Sequence, residues 1–225
     1  MKKNIFTYAI ILPTILICIL SGIFIFDDKA YIWIAMCVCI LACVPFFLSF
    51  EGKKNSTKKT VILAAMVALS IVGRYVFSLL PHFKPITAIV VITGMYLGAE
   101  SGFLCGAMSA LLSNFIFGQG PWTPFQMFAW GLIGLLAAIL SKPLKQSKIF
   151  LCVFGAVSGV LYSLLLDVSA TMWYDGAFNI SRYLALLATS LPITTVYALS
   201  NVAFLLILSK PMGEKLRRIK VKYGL

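Results

Sequence analysis

Long apolar runs separated by short polar segments follow one another along the whole chain. Eight runs have the length and character of membrane-spanning or buried helices, and they cover residues 5–26, 31–50, 60–80, 86–98, 102–117, 125–140, 149–167 and 183–208. Three runs in the middle fall short of the ~20 residues that a perpendicular transmembrane helix needs. The shortest of them, 86–98, is a candidate for a bent or partly re-entrant segment.

The composition places the chain in a membrane. Of its 225 residues, 61% are hydrophobic and 12% are charged, whereas soluble domains have ~45–50% apolar and ~25% charged residues. Only helices and closed barrels satisfy their backbone hydrogen bonds in lipid, and the uninterrupted runs lack the short alternating strands of a barrel. We therefore predict an all-α integral membrane protein with about eight transmembrane helices.

Basic residues concentrate at helix ends on one predicted side of the membrane. The termini and the segments 51–59 and 142–148 carry most of them, whereas Lys29, Lys84 and Arg182 lie on the other side. Because basic loops stay in the cytoplasm, we expect a multi-pass protein of the cell membrane with both termini cytoplasmic. The same distribution argues against nucleic-acid binding, despite a net charge of +12.

The polar content of the apolar runs changes after the second of them. The first run is longer than the ~7–15-residue apolar region of a signal peptide and lacks a small-residue cleavage site, so we expect it to be retained. The first two runs carry almost no polar residue deep inside, whereas the later ones contain arginine, amides, tryptophan and many glycines. We predict a two-helix N-terminal extension, residues 1–57, and a six-helix functional core, residues 58–225.

Arg74 is a charged residue inside the apolar run 60–80. A charge near the bilayer centre costs roughly 2.5–3.5 kcal/mol on insertion scales, so it usually faces a polar interior or a ligand. The stiff turn at residues 81–85 follows this run and carries Lys84 between its two prolines. Two cations around one helix exit indicate a pocket that opens to one side of the membrane.

Amide and tryptophan side chains cluster in the segment 113–127. Asn114, Gln119, Trp122 and Gln126 lie around a glycine-rich connector between two runs. Amides offer both donors and acceptors, and tryptophan offers a flat surface, so the segment suits a polar, partly aromatic ligand. An aromatic belt with helix-capping residues is the alternative, since tryptophan favours membrane interfaces.

Small residues recur at a four-residue spacing in the predicted inner halves of two runs. Ala64 and Ala68 form one such pair, and Gly106 and Ala110 form another. This spacing lets helices approach closely in lipid. It serves either internal packing or the docking of a helix from a partner protein.

Residues for catalysis or metal binding are sparse. The chain has one histidine, and it lacks the HExxH, GxSxG and GxxxxGK[ST] motifs. The six cysteines all lie in apolar segments, where free thiols behave as small hydrophobic groups. Asp167, at the end of the run 149–167, is a partner of Arg74, a ligand contact or a helix-terminal carboxylate in water. We predict no catalytic residue, no metal site and no cofactor.

The core resembles the substrate-binding S component of energy-coupling factor (ECF) vitamin transporters. The resemblance rests on the six-helix plan, on the motif AAMVA at 64–68 followed by Gly73 and Arg74, and on the segments 83–88, 102–107 and 118–126. Those segments, together with the ending 217–225, are similar to a subgroup described as predicted cobalamin components. The resemblance covers residues 58–225.

The resemblance implies an importer subunit rather than an enzyme. Its ligand pocket faces outside with the turn 81–85 as a lid, while a membrane coupling protein and two ATPase subunits supply the energy. The residues that we predict at the ligand from the polar and aromatic pattern are Arg74, Lys84, Asn114, Gln119, Trp122, Gln126, Trp130 and Asp167. Those that the resemblance places at the coupling protein are Ala64, Ala68, Gly106 and Ala110.

The sequence leaves more than one possibility open for the ligand and for the class of transporter. Cobalamin is favoured by the subgroup resemblance, and riboflavin or another heterocyclic vitamin fits the same aromatic and amide pocket. A stand-alone secondary transporter or channel is the competing class, but it needs intramembrane acids for ion coupling, and the core has almost none. A membrane hydrolase or transferase needs clustered acids, which are missing for the same reason.

Overall fold

The structure, a computed structural model, describes residues 56–223 and, before them, only residues 36, 37, 39–41, 43, 44 and 48. The predicted span 5–26 and most of the span 31–50 lie outside the described residues, as does most of the proposed extension 1–57. Residues 56–223 form seven helices, and every regular element among them is helical. They are α1 (Ser56–Val76), α2 (Ile86–Leu97), α3 (Ala99–Phe117), α4 (Trp122–Ile139), α5 (Ser141–Gln146), α6 (Lys148–Asp175) and α7 (Ile180–Tyr223).

Within this part of the chain, five helices are long and apolar enough to cross a membrane: α1, α3, α4, α6 and α7. Their sequences are rich in leucine, isoleucine and alanine, and several of the turns between them contain proline or glycine. Ser147 caps α6 by accepting a hydrogen bond from the Phe150 backbone N–H at 3.2 Å. Gly176 ends the same helix with a φ of 74°, which glycine adopts without strain. The prediction of an all-α, multi-pass membrane protein is confirmed.

The short helix α2 lies at the centre of the bundle. Its 12 residues span about 18 Å, less than the ~30 Å of a hydrocarbon core. All of them except Tyr96 are buried, and α2 packs against each of the six other helices of residues 56–223. The segment predicted at 86–98 is therefore a continuous helix whose surroundings are protein, and this is why it can be short.

Glycines allow α2, α3 and α4 to touch backbone to backbone. A Cβ atom on Gly94 or Gly102 would collide with the carbonyl oxygen of Gly134, and one on Gly106 would collide with the backbone of Trp130. Ala110, one turn further along α3, is 0% exposed. Gly106 and Ala110 therefore serve internal packing, as small residues do between membrane helices. Neither of these two residues offers a surface to a partner protein.

Several helix ends differ from the sequence prediction. α1 ends at Val76 rather than at residue 80, and turns formed by the Ser78 and Leu80 backbone N–H groups follow it. α6 continues beyond residue 167 to Asp175, so that Asp167 lies inside the helix. α7 has 44 residues and runs through Pro192 and Pro211, whereas its predicted run ends at 208. Helices in a bundle tolerate proline because neighbouring groups replace the lost hydrogen bond.

Candidate ligand-binding site

A cavity of about 240 Å³ lies among α1, α2, α4, α6 and α7, beside the turn that joins α1 to α2. This volume lies slightly below the usual range for small-molecule sites, ~300–1,000 Å³. Charged, amide and aromatic side chains form most of its wall. The lining residues are Arg74, His82, Lys84, Ile86, Thr87, Gln126, Trp130, Gly159, Tyr162, Tyr197 and Asn201.

Arg74 begins a hydrogen-bond chain that crosses three helices. Its Nη1 donates to Ser113 Oγ and, at 2.9 Å, to Asn114 Oδ1. Asn114 Nδ2 in turn donates to Gln126 Oε1 at 2.8 Å and to Thr123 Oγ1 at 2.9 Å. Since Asn114 is only 1% exposed, this chain holds the guanidinium of α1 and the amide of α4 in fixed positions at the cavity.

The two cations of the cavity have aromatic neighbours instead of acidic ones. The Arg74 guanidinium lies 4.6 Å from the centre of the Phe117 ring, and Lys84 Nζ lies 5.0 Å from the same centre. Among the described residues, neither cation forms an ion pair, whereas Arg182 pairs with Asp175 at 2.6 Å on the surface. The pKa of Lys84 is lowered by burial and by the charge of Arg74. The cavity therefore carries a positive potential that favours an electron-rich or anionic group.

A stacked aromatic wall faces the cations. The Trp130 and Tyr162 rings are 4.7 Å apart at 22°, and the Tyr197 ring meets Tyr162 edge-on at 5.2 Å. Trp130 Nε1 donates to Thr87 Oγ1 at 3.2 Å, which fixes the indole plane. A flat heterocycle can stack in such a place, since aromatic rings prefer offset-stacked or edge-to-face neighbours.

The turn 81–85 is bonded to α7. His82 Nδ1 lies 3.1 Å from the Tyr197 hydroxyl. The Lys84 backbone N–H donates to Ser200 Oγ at 2.9 Å, and the same hydroxyl donates to the Lys84 carbonyl at 3.1 Å. His82 has a φ of 60°, an uncommon value for a residue with a side chain, which persists where surrounding contacts hold it. These three bonds keep the turn against the cavity.

We expect the pKa of His82 to lie below its ordinary value of 6.5, because burial, and to a smaller extent the charge of Lys84, disfavours the imidazolium. His82 is the single histidine of the chain, so an NMR titration of imidazole protons reports it alone. The Lys84→Gln variant should raise the pKa part of the way back towards 6.5, whereas Lys148→Gln should leave it unchanged. A value at or above 6.5 in the unsubstituted protein contradicts this account.

The lowered pKa of His82 determines how the free energy of unfolding changes with pH. Because the pKa of His82 is lower in the folded protein, the unfolded chain binds more protons as the pH falls through 6.5. The contribution of neutral His82 to the free energy of unfolding is therefore present above pH 6.5 and is lost as the pH falls towards the folded-state pKa.

Four of the residues predicted at the ligand line the cavity: Arg74, Lys84, Gln126 and Trp130. Asn114 lies behind them, one hydrogen bond away. Tyr162, Tyr197 and Asn201 also line it, and the sequence analysis missed them. Each of them is a polar side chain inside an apolar run, the same pattern that identified Arg74. For tyrosine this pattern is less specific, because tyrosine is also common at membrane interfaces.

Three other predicted residues lie away from the cavity wall. Gln119 is exposed and donates to the Leu111 carbonyl at 2.9 Å. Trp122 is 41% exposed and covers Gly120 in the connector. Asp167 accepts a hydrogen bond from Ser190 on α7 at 2.8 Å, so α7, and not Arg74, supplies its partner.

A second concavity of about 350 Å³ is an apolar groove between α1 and α3. Ala64 and Ala68 are exposed and form part of its floor. Larger apolar side chains border it on both helices; the full lining is Thr60, Leu63, Ala64, Val67, Ala68, Ile71, Leu104, Met108 and Leu112. The small side chains of α1 thus leave room that another helix could fill.

A comparison with protein families matches most of the chain. A family model described as "ECF-type riboflavin transporter, S component" matches residues 54–218, which include all of the cavity and groove residues. No solved structure matches the chain.

Proposed function

Because this chain belongs to the family of ECF-type riboflavin transporter S components, we propose that it binds riboflavin from outside the cell and delivers it inward. An S component is the substrate-specific, non-enzymatic subunit of an ECF transporter. The observation that carries the choice of ligand is a cavity with an aromatic wall on one side and two cations on the other, which have no acidic partner within the described part of the chain.

The match does not support the cobalamin-type subgroup that the sequence favoured, because its family description names riboflavin. The size of the cavity also favours riboflavin over cobalamin. A corrin ring with its nucleotide tail is several times bulkier than a flavin, so a cavity of about 240 Å³ suits the flavin better. We therefore put riboflavin first and another flat heterocyclic vitamin second.

Riboflavin offers a group for each part of the cavity. Its flat isoalloxazine stacks on the wall formed by Trp130 and Tyr162. The electron-rich carbonyls of its pyrimidine ring accept hydrogen bonds from Arg74 or Lys84, and charge-assisted bonds of this kind are roughly twice as strong as neutral ones. Its ribityl hydroxyls reach the polar side chains at the cavity edge, among them Asn201.

The partners follow from the same family. An S component works with an ECF coupling module, and we propose one membrane coupling protein and two ATPase subunits for it. The apolar groove that Ala64 and Ala68 leave open on α1 is the surface we assign to the coupling protein. We do not include Gly106 and Ala110 in this docking surface, because both are buried.

A fluorescence titration of the purified protein tests the choice of ligand. Riboflavin emission should be quenched saturably, since the ring stacks on Trp130, and cobalamin should neither bind nor compete. Loss of aromatic stacking costs about 1–3 kcal/mol per ring, so Trp130→Leu should weaken affinity roughly 5- to 150-fold.

The matched control is Trp173→Leu, because Trp173 is 53% exposed and outside the cavity. Its affinity for riboflavin should equal that of the unsubstituted protein. Saturable binding of cobalamin without binding of riboflavin would reverse our order of ligands. Riboflavin uptake by the protein alone, without ATPases, would instead favour a secondary transporter.

A further inference from the structure

Two lysines from different helices meet at Tyr96, at the far end of α2 from the cavity. Lys145 of α5 places its Nζ 4.5 Å from the centre of the Tyr96 ring. Lys220 of α7 places its Nζ 3.5 Å from the Tyr96 carbonyl oxygen. Gly213 makes this possible, because a Cβ atom there would collide with the Tyr96 hydroxyl and hold α7 away.

This cluster has no acidic partner among the described residues. The ion pairs found there join Lys59 to Glu100 and Arg182 to Asp175, and neither pair includes Lys145 or Lys220. The pKa of Lys145 is lowered by burial and by the charge of Lys220. Two ammonium groups held at one tyrosine residue, one at its ring and one at its carbonyl, repel each other, and a bound anion would relieve that repulsion.

The surroundings of α5 favour a lipid as the source of the anion. Ile139 and Ile149 precede and follow this short helix, and they are 66% and 78% exposed. Phe150 beside them is exposed as well. Apolar side chains at this position can contact acyl chains while the lysines contact a headgroup, and basic pockets between transmembrane helices bind anionic lipids in this way. A soluble anion would make no use of these apolar side chains.

We infer that Lys145 and Lys220 bind the phosphate of an anionic phospholipid at the end of the bundle opposite the cavity. The ring of Tyr96 holds the Lys145 ammonium in place by a cation–π contact, and the Tyr96 carbonyl holds that of Lys220. The site is independent of riboflavin binding, since α2 separates it from the cavity by about 15 Å.

Native mass spectrometry of the full chain, purified with equal amounts of phosphatidylglycerol and phosphatidylcholine of the same acyl chains, tests this site. The unsubstituted protein should retain phosphatidylglycerol selectively. The double variant Lys145→Gln/Lys220→Gln should retain it roughly 10- to 30-fold less, because each cation near an anionic headgroup contributes about tenfold or less. Lys145→Gln alone should give an intermediate loss, and it serves if the double variant fails to fold.

The control is Lys142→Gln/Lys148→Gln, which removes two nearby exposed lysines, one in α5 and one at the start of α6, that form no described contact with Tyr96. It should retain phosphatidylglycerol like the unsubstituted protein. An equal loss in both double variants would mean that only the general positive charge matters and would overturn the site. Displacement of the lipid by millimolar inorganic phosphate would overturn the lipid assignment in favour of a soluble anion.

Discussion

Replacement of Arg74 by alanine is expected to weaken riboflavin binding about 100-fold. Hydrogen bonds to a charged group contribute ~1.5–3 kcal/mol each. The substitution also leaves the buried Asn114 Oδ1 without the donor that lies 2.9 Å away, which frees the amide to rotate and disturbs Gln126. The loss is measured by flavin-fluorescence titration of the purified variant.

Two further variants separate the role of charge from that of fold. Arg74→Lys keeps the charge but lacks the rigid guanidinium whose Nη1 donates to both Ser113 and Asn114. Its affinity for riboflavin should therefore fall between that of the unsubstituted protein and that of Arg74→Ala. Arg182→Ala removes an exposed arginine that pairs with Asp175 and should bind riboflavin normally. If folded Arg74→Ala binds as tightly as the unsubstituted protein, the ligand lies elsewhere.

The double substitution Ala64→Leu/Ala68→Leu is expected to abolish riboflavin uptake while leaving riboflavin binding unchanged. Two leucines would fill much of the groove between α1 and α3 and exclude a helix of the coupling protein. The cavity is bordered by a later turn of α1, so its geometry should survive. Uptake is measured in cells that depend on this importer, and assembly is measured by co-purification with the coupling module.

Ala65→Leu is the matched control for this experiment. Ala65 is exposed on the same helix but does not line the groove, so the change adds the same side chain to a different face. It should support normal uptake and assembly. Normal uptake in the double variant, or loss of assembly in Ala65→Leu alone, would show that the coupling protein docks on another surface.

The predicted site residues that the structure brings together at or behind the cavity are those for which lipid allows few explanations. A guanidinium, two amides and an indole in apolar runs must find partners inside the bundle, and Arg74, Asn114, Gln126 and Trp130 do so. Asp167 also found an internal partner, but sequence spacing does not tell which helix supplies it. The partner, Ser190, belongs to a helix that begins before the predicted run 183–208 and ends well after it.

The small-residue pairs show what a spacing rule leaves open. Ala64–Ala68 and Gly106–Ala110 have the same four-residue separation, yet the first pair borders an open groove and the second is buried. Which pair is covered depends on where α4 lies, and contacts between helices distant in sequence decide that. The helix ends at residues 80, 167 and 208 were mispredicted for a related reason, since packing in the bundle overrides local signals such as proline.

The attachment of the turn 81–85 to α7 has a consequence for how long cargo is held. Opening the turn breaks the His82–Tyr197 contact and the two Lys84–Ser200 hydrogen bonds. At about 1 kcal/mol each, these bonds keep the open form near 1% of the population or lower. On the proposed function, riboflavin release through this route should be slowed by a similar factor. A long residence time suits a receptor that captures a scarce nutrient and must wait, loaded, for a free coupling module.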